Sequence, residues 1–298
     1  MGNSISLANK KKYLFLLNEI LFVGPIFIIF IIIKIIPLFF SVTYSLTDWN
    51  GISSKAIFSG LDNYARLISD HQYWESLSFT LRFAVLTVFI ANILGFSLAY
   101  FLSKPVLGRN VMRAAFYIPN TLGGLVLGFI WKFIFLSGFA YIFKETGFKI
   151  FSGWLGTSTT SFWAMIWVQA WVLSGFLMLL YISGLSVIPN ENIESALIDG
   201  ANGLRIIRHI ILPLLMPTIT RCLFISFLNC MRVYDLNLGL TDGNPFRSSE
   251  TVTYNMYVTA FSDNKMGYGC AKALIFIIIV VAISNIQAQL TSKKEVDL

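Results

Sequence analysis

Charge is what this sequence has least of. Of its 298 residues only 12% are Asp, Glu, Lys or Arg, while 56% are hydrophobic and the mean hydropathy is +0.72. That balance excludes an ordinary soluble domain and points to a lipid bilayer. Histidine is nearly absent: His71 and His209 fall on opposite predicted sides, so a metal-dependent or acid–base membrane enzyme has no constellation to use. No catalytic residue and no metal site is therefore assigned. Cys222, Cys230 and Cys270 are an odd number in or beside apolar runs, without metal-ligand spacing, and read as small core residues rather than a disulfide framework. A Gly-x-x-x-x-Gly-Lys-Ser/Thr phosphate loop is missing, so the chain is not expected to bind ATP in the usual way. Heptads, low-complexity tracts and a convincing internal repeat are missing too, and an inverted-repeat carrier would be expected to show related halves. The net charge of +7 does not imply nucleic acid, because the basic residues are scattered and terminal rather than gathered on one face.

What the sequence has is apolar runs. At about 1.5 Å per residue, a run near 20 residues crosses a hydrocarbon core of about 30 Å. Six such runs are predicted, at about 20–40, 77–102, 114–135, 162–183, 214–236 and 271–288. The first follows Lys10-Lys11-Lys12 but is longer than a signal-peptide core and has no evident cleavage site, so it reads as an uncleaved span. An all-α integral membrane fold follows, with both termini on one side. The segments outside the spans on that side carry ten Lys and Arg (Lys10, Lys11, Lys12, Lys104, Arg109, Arg113, Arg205, Arg208, Lys293, Lys294) against six on the other, which makes the termini cytoplasmic. Lys34, Arg82, Lys132, Arg221, Arg232 and Lys272 lie toward span ends, where long stems reach the headgroups. The expected organisation is a cytoplasmic segment 1–19, a first span with its external loop 20–76, a five-span core 77–290 and a cytoplasmic tail 291–298.

Between the fourth and fifth runs lies the stretch around which the rest is organised. Ile188-Pro189 and Leu212-Pro213 interrupt helix continuation on either side. Two short helices fit between them. The first runs from about Asn190 to Asp199; Gly200 permits a tight turn, and Asn202 is a candidate N-cap for a second helix carrying Ile206, Ile207, Ile210 and Ile211. Fixed between two spans, this helix-turn-helix is unsuited to a DNA groove, and reads as an amphipathic connector or as a docking element.

Glu194-Ser195-Ala196, then Gly200, then nine residues and Ile210-Ile211-Leu212-Pro213, resembles the coupling loop of the permease subunits of ABC importers, with Ser195 where alanine usually stands. The resemblance extends from about Ile20 to Ile286. Tyr44-Ser45-Leu46-Thr47-Asp48-Trp49-Asn50 and Gly60-Leu61-Asp62-Asn63-Tyr64 are similar to the first outer region of the carbohydrate-type branch, which includes maltose and glycerol-3-phosphate importers. Phe116-Tyr117-Ile118-Pro119 and Ile130-Trp131-Lys132 are similar to its third span. Val233-Tyr234-Asp235, Leu240-Thr241-Asp242-Gly243-Asn244-Pro245 and Ser249-Glu250-Thr251 are similar to that branch's aromatic-Asp segment, its Thr-Gly-Gly-Gly-Pro turn and its Thr-Glu-Thr, with Asp242 and Asn244 replacing glycines.

The resemblance implies a type I importer permease fold of six transmembrane helices in a bacterial or archaeal cell membrane, with a cytoplasmic coupling helix between spans four and five. It implies a second, related permease, two ATP-binding subunits that use ATP, and an extracellular solute-binding protein. Glu194, Ser195, Ala196, Asp199, Gly200, Ala201, Leu212 and Pro213 would form the ATPase-coupling element, Glu194 pairing with a basic partner residue and Ala196 and Ala201 allowing close approach. For the solute pathway, polar residues deep in spans are read either as pathway groups or as interhelical hydrogen bonds: Asn92, Asn120, Gln169 and Asn229, joined by Trp131, Trp171 and Tyr234. Their low charge suits a neutral hydroxylated solute. The rival reading is an ATP-independent secondary transporter or channel.

Overall fold

The computed structural model describes residues 21–292; Lys10–Lys12, Lys293 and Lys294, which enter the charge count, lie outside them. Helices dominate. Among the described residues, β pairing is confined to an isolated bridge between Thr47 and Phe58. Among the described residues five helices are long and apolar enough to cross a membrane, and a bent pair, Gly203–Leu214 with Met216–Met231, makes six if it is counted as one span. By contacts the chain divides into two compact units, residues 1–68 with 259–274, and residues 69–258 with 275–298.

In the first unit, helix α1 (Leu21–Ser45) is strongly apolar, and its apolar stretch is not buried within the chain. Its side chains therefore need lipid or another protein. A π-helical turn at Ile31–Ile35, containing Lys34, immediately precedes Pro37; widening there accommodates a residue that cannot complete the ordinary backbone ladder. The two outer motifs then hold each other. Asn63, buried in helix α2 (Asp62–Ile68), donates from Nδ2 to the carbonyls of Ser45 at 2.9 Å and Thr47 at 2.8 Å, while the Tyr64 hydroxyl lies 2.7 Å from Ser45 Oγ. These bonds tie the end of α1 to the Gly-Leu-Asp-Asn-Tyr turn.

The second unit is built on helix α3 (His71–Ser103) packed along helix α6 (Ser158–Leu185). α3 starts six residues before the expected span because Asp70 caps it, accepting from the Tyr73 backbone N–H at 3.0 Å. Small residues set the helix separations. A Cβ on Gly175 of α6 would stand 1.9 Å from the Phe116 carbonyl oxygen, and one on Gly128 would stand 2.8 Å from Gly239 Cα. Each contact leaves no room for even a methyl group.

The expected third span, 114–135 as one helix, is corrected. Helix α4 (Arg109–Thr121) runs through Pro119; Leu122 and Gly123 are extended and break the chain, and the membrane-length helix is α5 (Gly124–Thr146), which takes up residues 137–146 of the expected 137–161 loop. Extended backbone at the break interrupts the helical ladder, and the apolar run continues beyond residue 135. Helix α7 (Asn190–Ile198) follows α6 closely. Pro213 does not stop the next helix as expected: α8 (Gly203–Leu214) passes through it after a π-helical turn at Ile207–Ile211, and the chain then bends by 73° into α9 (Met216–Met231). Pro213 and Pro217 flank the bend, where missing N–H donors weaken the ladder. Two short helices, α10 (Asp235–Leu240) and α11 (Val252–Tyr257), occupy the expected polar loop before the last long helix, α12 (Met266–Ser292).

Candidate functional site

The α7–α8 hairpin is rigidly terminated. The Gly200 N–H donates to the Leu197 carbonyl at 3.1 Å and the Ala201 N–H to the Ala196 carbonyl at 2.9 Å, with Gly200 at φ +77°. This is a Schellman cap, in which the left-handed residue lets two C-terminal carbonyls find donors. Asn202 then caps α8 as expected, its Oδ1 accepting from the Arg205 N–H at 2.9 Å. The inward face closes over a cluster centred on Ile188, Ile206 and Ile211, to which Phe96, Tyr100, Ile193, Ala196 and Ala201 add their apolar surface. Ala196 and Ala201 thus pack at least partly against the chain's own core. Glu194, Ser195, Asp199 and Gly200 are exposed, and Leu212 and Pro213 are half-buried. Exposure at Ser195 explains why a hydroxyl can stand there at no packing cost. Two residues missed by the sequence reading extend this outer face: Ile198 is 87% and Leu204 74% exposed. Apolar side chains on both sides of a turn were the available signal.

Four of the seven pathway candidates meet. Asn120, Gln169, Asn229 and Tyr234 line a cavity of about 220 Å³ at the α4–α5 break and the end of α9. Arg232 and Asp235 line it too, so the site carries one charge of each sign where low charge was expected. Asp235 belonged to a motif already quoted; Arg232 had been read as a headgroup anchor. Asn229 also donates to the Ile225 carbonyl at 2.9 Å, and its amide oxygen has no partner among the described residues. Trp131 and Trp171 do not line this cavity but pack edge to face with ring centres 5.5 Å apart. Asn92 takes the interhelical option: it donates to Ser226 Oγ at 3.1 Å and accepts from the Tyr181 hydroxyl at 2.7 Å, joining α3, α6 and α9.

Beside the cavity, fully buried Asn237 organises the Thr241–Thr251 segment. Its Nδ2 donates to Thr241 Oγ1 at 2.7 Å and the Ser249 carbonyl at 2.9 Å, and its Oδ1 accepts from the Thr251 N–H and hydroxyl, each at 3.0 Å. Buried Glu250 accepts from Arg247 Nε at 2.7 Å, Arg247 Nη2 at 2.9 Å and Gln72 Nε2 at 3.0 Å. The glycine replacement at Asp242 is accommodated at φ +52°, and its carboxylate accepts from the Tyr254 hydroxyl at 2.7 Å. Burial, then that hydrogen bond and the charge behind it, push the Tyr254 pKa above its ordinary value.

The family model of the binding-protein-dependent transport system inner membrane component matches residues 91–296. A probable starch degradation products transport system permease of Thermoanaerobacterium thermosulfurigenes is 42% identical over 97% of this chain and 99% of its own length. The chain belongs to this family. It is a membrane-spanning permease of an ABC importer, a transport component whose ATPase resides in other chains. A multiple sugar-binding transport system permease of Streptococcus mutans is 32% identical to this permease over 87% of the chain and 90% of the relative. The fold agrees: the crystal structure of a bacterial ABC transporter for the acidic polysaccharide alginate contains a chain that matches with a TM-score of 0.80 at 18% identity, covering 97% of this permease and 99% of that chain. Family membership does not favour the ATP-independent carrier or channel.

Proposed function

We propose that this permease moves a sugar or related hydroxylated solute into the cell, driven by ATP hydrolysis on two copies of a separate subunit that grip the α7–α8 hairpin. The observation that carries the reading is the hairpin itself: a capped, stiff turn that presents Glu194, Asp199, Ile198 and Leu204 outward while anchoring its other face in the apolar cluster. A rigid exposed element joined directly to a transmembrane helix can transmit displacement. Both termini and this hairpin face the cytoplasm in the reading, supported by the excess of Lys and Arg in segments on that side. A second, related permease completes the pathway and an extracellular binding protein delivers the solute. The names of relatives, starch degradation products and multiple sugars among them, support the solute class. Asn229 and Tyr234 touch the solute, with Asn120 and Gln169 beside them, and the nearby Trp131–Trp171 pair offers an aromatic face.

Purification of the chain from its native membrane in mild detergent tests the assignment. An ATPase carrying a phosphate loop and a second permease are expected to co-purify. Solute movement by the chain alone, reconstituted without ATP, would overturn it.

A further inference from the structure

The second unit holds a larger cavity than the one at Asn229. It has a volume of about 740 Å³ and lies between the end of α3, the start of α4, the end of α6 and the α7–α8 hairpin. One wall is the hairpin's apolar inner face. The other is basic, formed by Lys104, Arg109 and Arg113. Helical spacing puts Arg109 and Arg113 on one face of α4. Arg113 is held in place by a bond from Nη2 to the Leu102 carbonyl at 2.6 Å, and its Nε is buried without a hydrogen-bond partner among the described residues. The Lys104 ammonium sits 4.6 Å from the centre of the Tyr100 ring. Among the described residues no Asp or Glu lines the cavity, and the other polar side chains there, Tyr100, Ser103, Ser186 and Asn190, are neutral. Glu191 and Glu194 are exposed on α7 outside it. Helices α4 and α7 both begin at the rim without a side-chain cap, adding partial positive charge there.

Three cations gathered around one cavity repel one another. An oxyanion among them relieves that repulsion. We propose that this cavity binds an anionic phosphate group, from the headgroup of an anionic phospholipid or from a soluble phosphorylated metabolite. Arg109 and Arg113 meet the phosphate oxygens and Lys104 supplies the third positive charge. The volume accommodates more than a bare ion. Because the opposite wall is the hairpin, occupancy braces the element proposed to receive the ATPase. The site stands on its own charge and shape, independent of the transport reading.

The full chain, delipidated in a neutral detergent, is titrated with phosphatidylglycerol against phosphatidylcholine by native mass spectrometry, and with glucose 6-phosphate against glucose by calorimetry. One phosphate probe is expected to bind more tightly than its partner of lower charge. In the double variant Lys104→Gln/Arg109→Gln the affinity is expected to fall by about tenfold to a hundredfold. Both residues are exposed, so the fold tolerates the change, and size-exclusion behaviour checks it. Preference for phosphatidylglycerol names a lipid source and preference for glucose 6-phosphate a soluble one. Preference for neither, or an equal loss in Arg208→Gln outside the cavity, overturns the proposal. Uptake is not measured, so failure here leaves the import reading untouched.

Discussion

Gly200 and Asn237 hold their neighbourhoods together by opposite means, one through backbone freedom and the other through side-chain bonds. At φ +77° with no atom within 4 Å of a built Cβ, Gly200 is required for its conformation and not for space. Gly200→Val should therefore cost about 1–2 kcal/mol locally, leave membrane insertion intact and lower ATP-driven uptake; equal uptake at equal protein level would remove the turn from the coupling role. Glu194→Lys, on an exposed position, is expected to leave thermal stability unchanged and weaken co-purification of the ATPase. Asn237 is the reverse case. Asn237→Ala strands the Thr251 N–H and the Ser249 carbonyl in a buried site, and should destabilise the protein by about 2–4 kcal/mol, read as a lower unfolding temperature in detergent. For the cavity residues the readout is transport. Asn229→Ala is expected to raise the KM for solute with little change in unfolding temperature, since it removes only a bond to its own helix.

At the scale of elements, close approach between helices is bought with glycine. The Phe116 carbonyl lies against Gly175, so Gly175→Leu forces α4 off α6 and should prevent recovery of a monodisperse protein by size-exclusion chromatography. Gly95 is a milder test: an added methyl would stand 2.9 Å from Leu177 Cβ, and Gly95→Ala should cost about 1–3 kcal/mol while the protein still folds. Several elements depart from a simple reading of apolar runs. Leu122 and Gly123 split the expected third span, and the cavity at Asn229 lies at that break with Asn120 of α4 in its wall. Pro213 lies inside a helix that reaches it through a wider turn, so the stop is displaced to a 73° bend. A further departure is α10, whose Gly239 allows it to pack closely against Gly128 of α5.

For the whole molecule, the exposed apolar surface of α1 fits a subunit that is covered by lipid or by other subunits of an importer. If the importer alternates between two states, a cysteine replacing Asn229 should react with a membrane-impermeant thiol reagent from opposite sides in the nucleotide-free and ATP-bound assemblies; reaction from one side in both would exclude alternation at this position. The sequence by itself determined the membrane class, the six-span helical fold, the hairpin with its glycine turn and asparagine cap, and the likeness to importer permeases. Those features are written in local periodicity, in residues with special backbone preferences and in the spacing of motifs. Only tertiary structure decided that Asn120, Gln169, Asn229 and Tyr234 share a cavity while Asn92 bonds between helices, that Ala196 and Ala201 turn inward, and that Lys104, Arg109 and Arg113 line one cavity. A polar residue in an apolar run has two ways to be satisfied, by another helix or by an aqueous cavity, and the choice depends on neighbours distant in sequence.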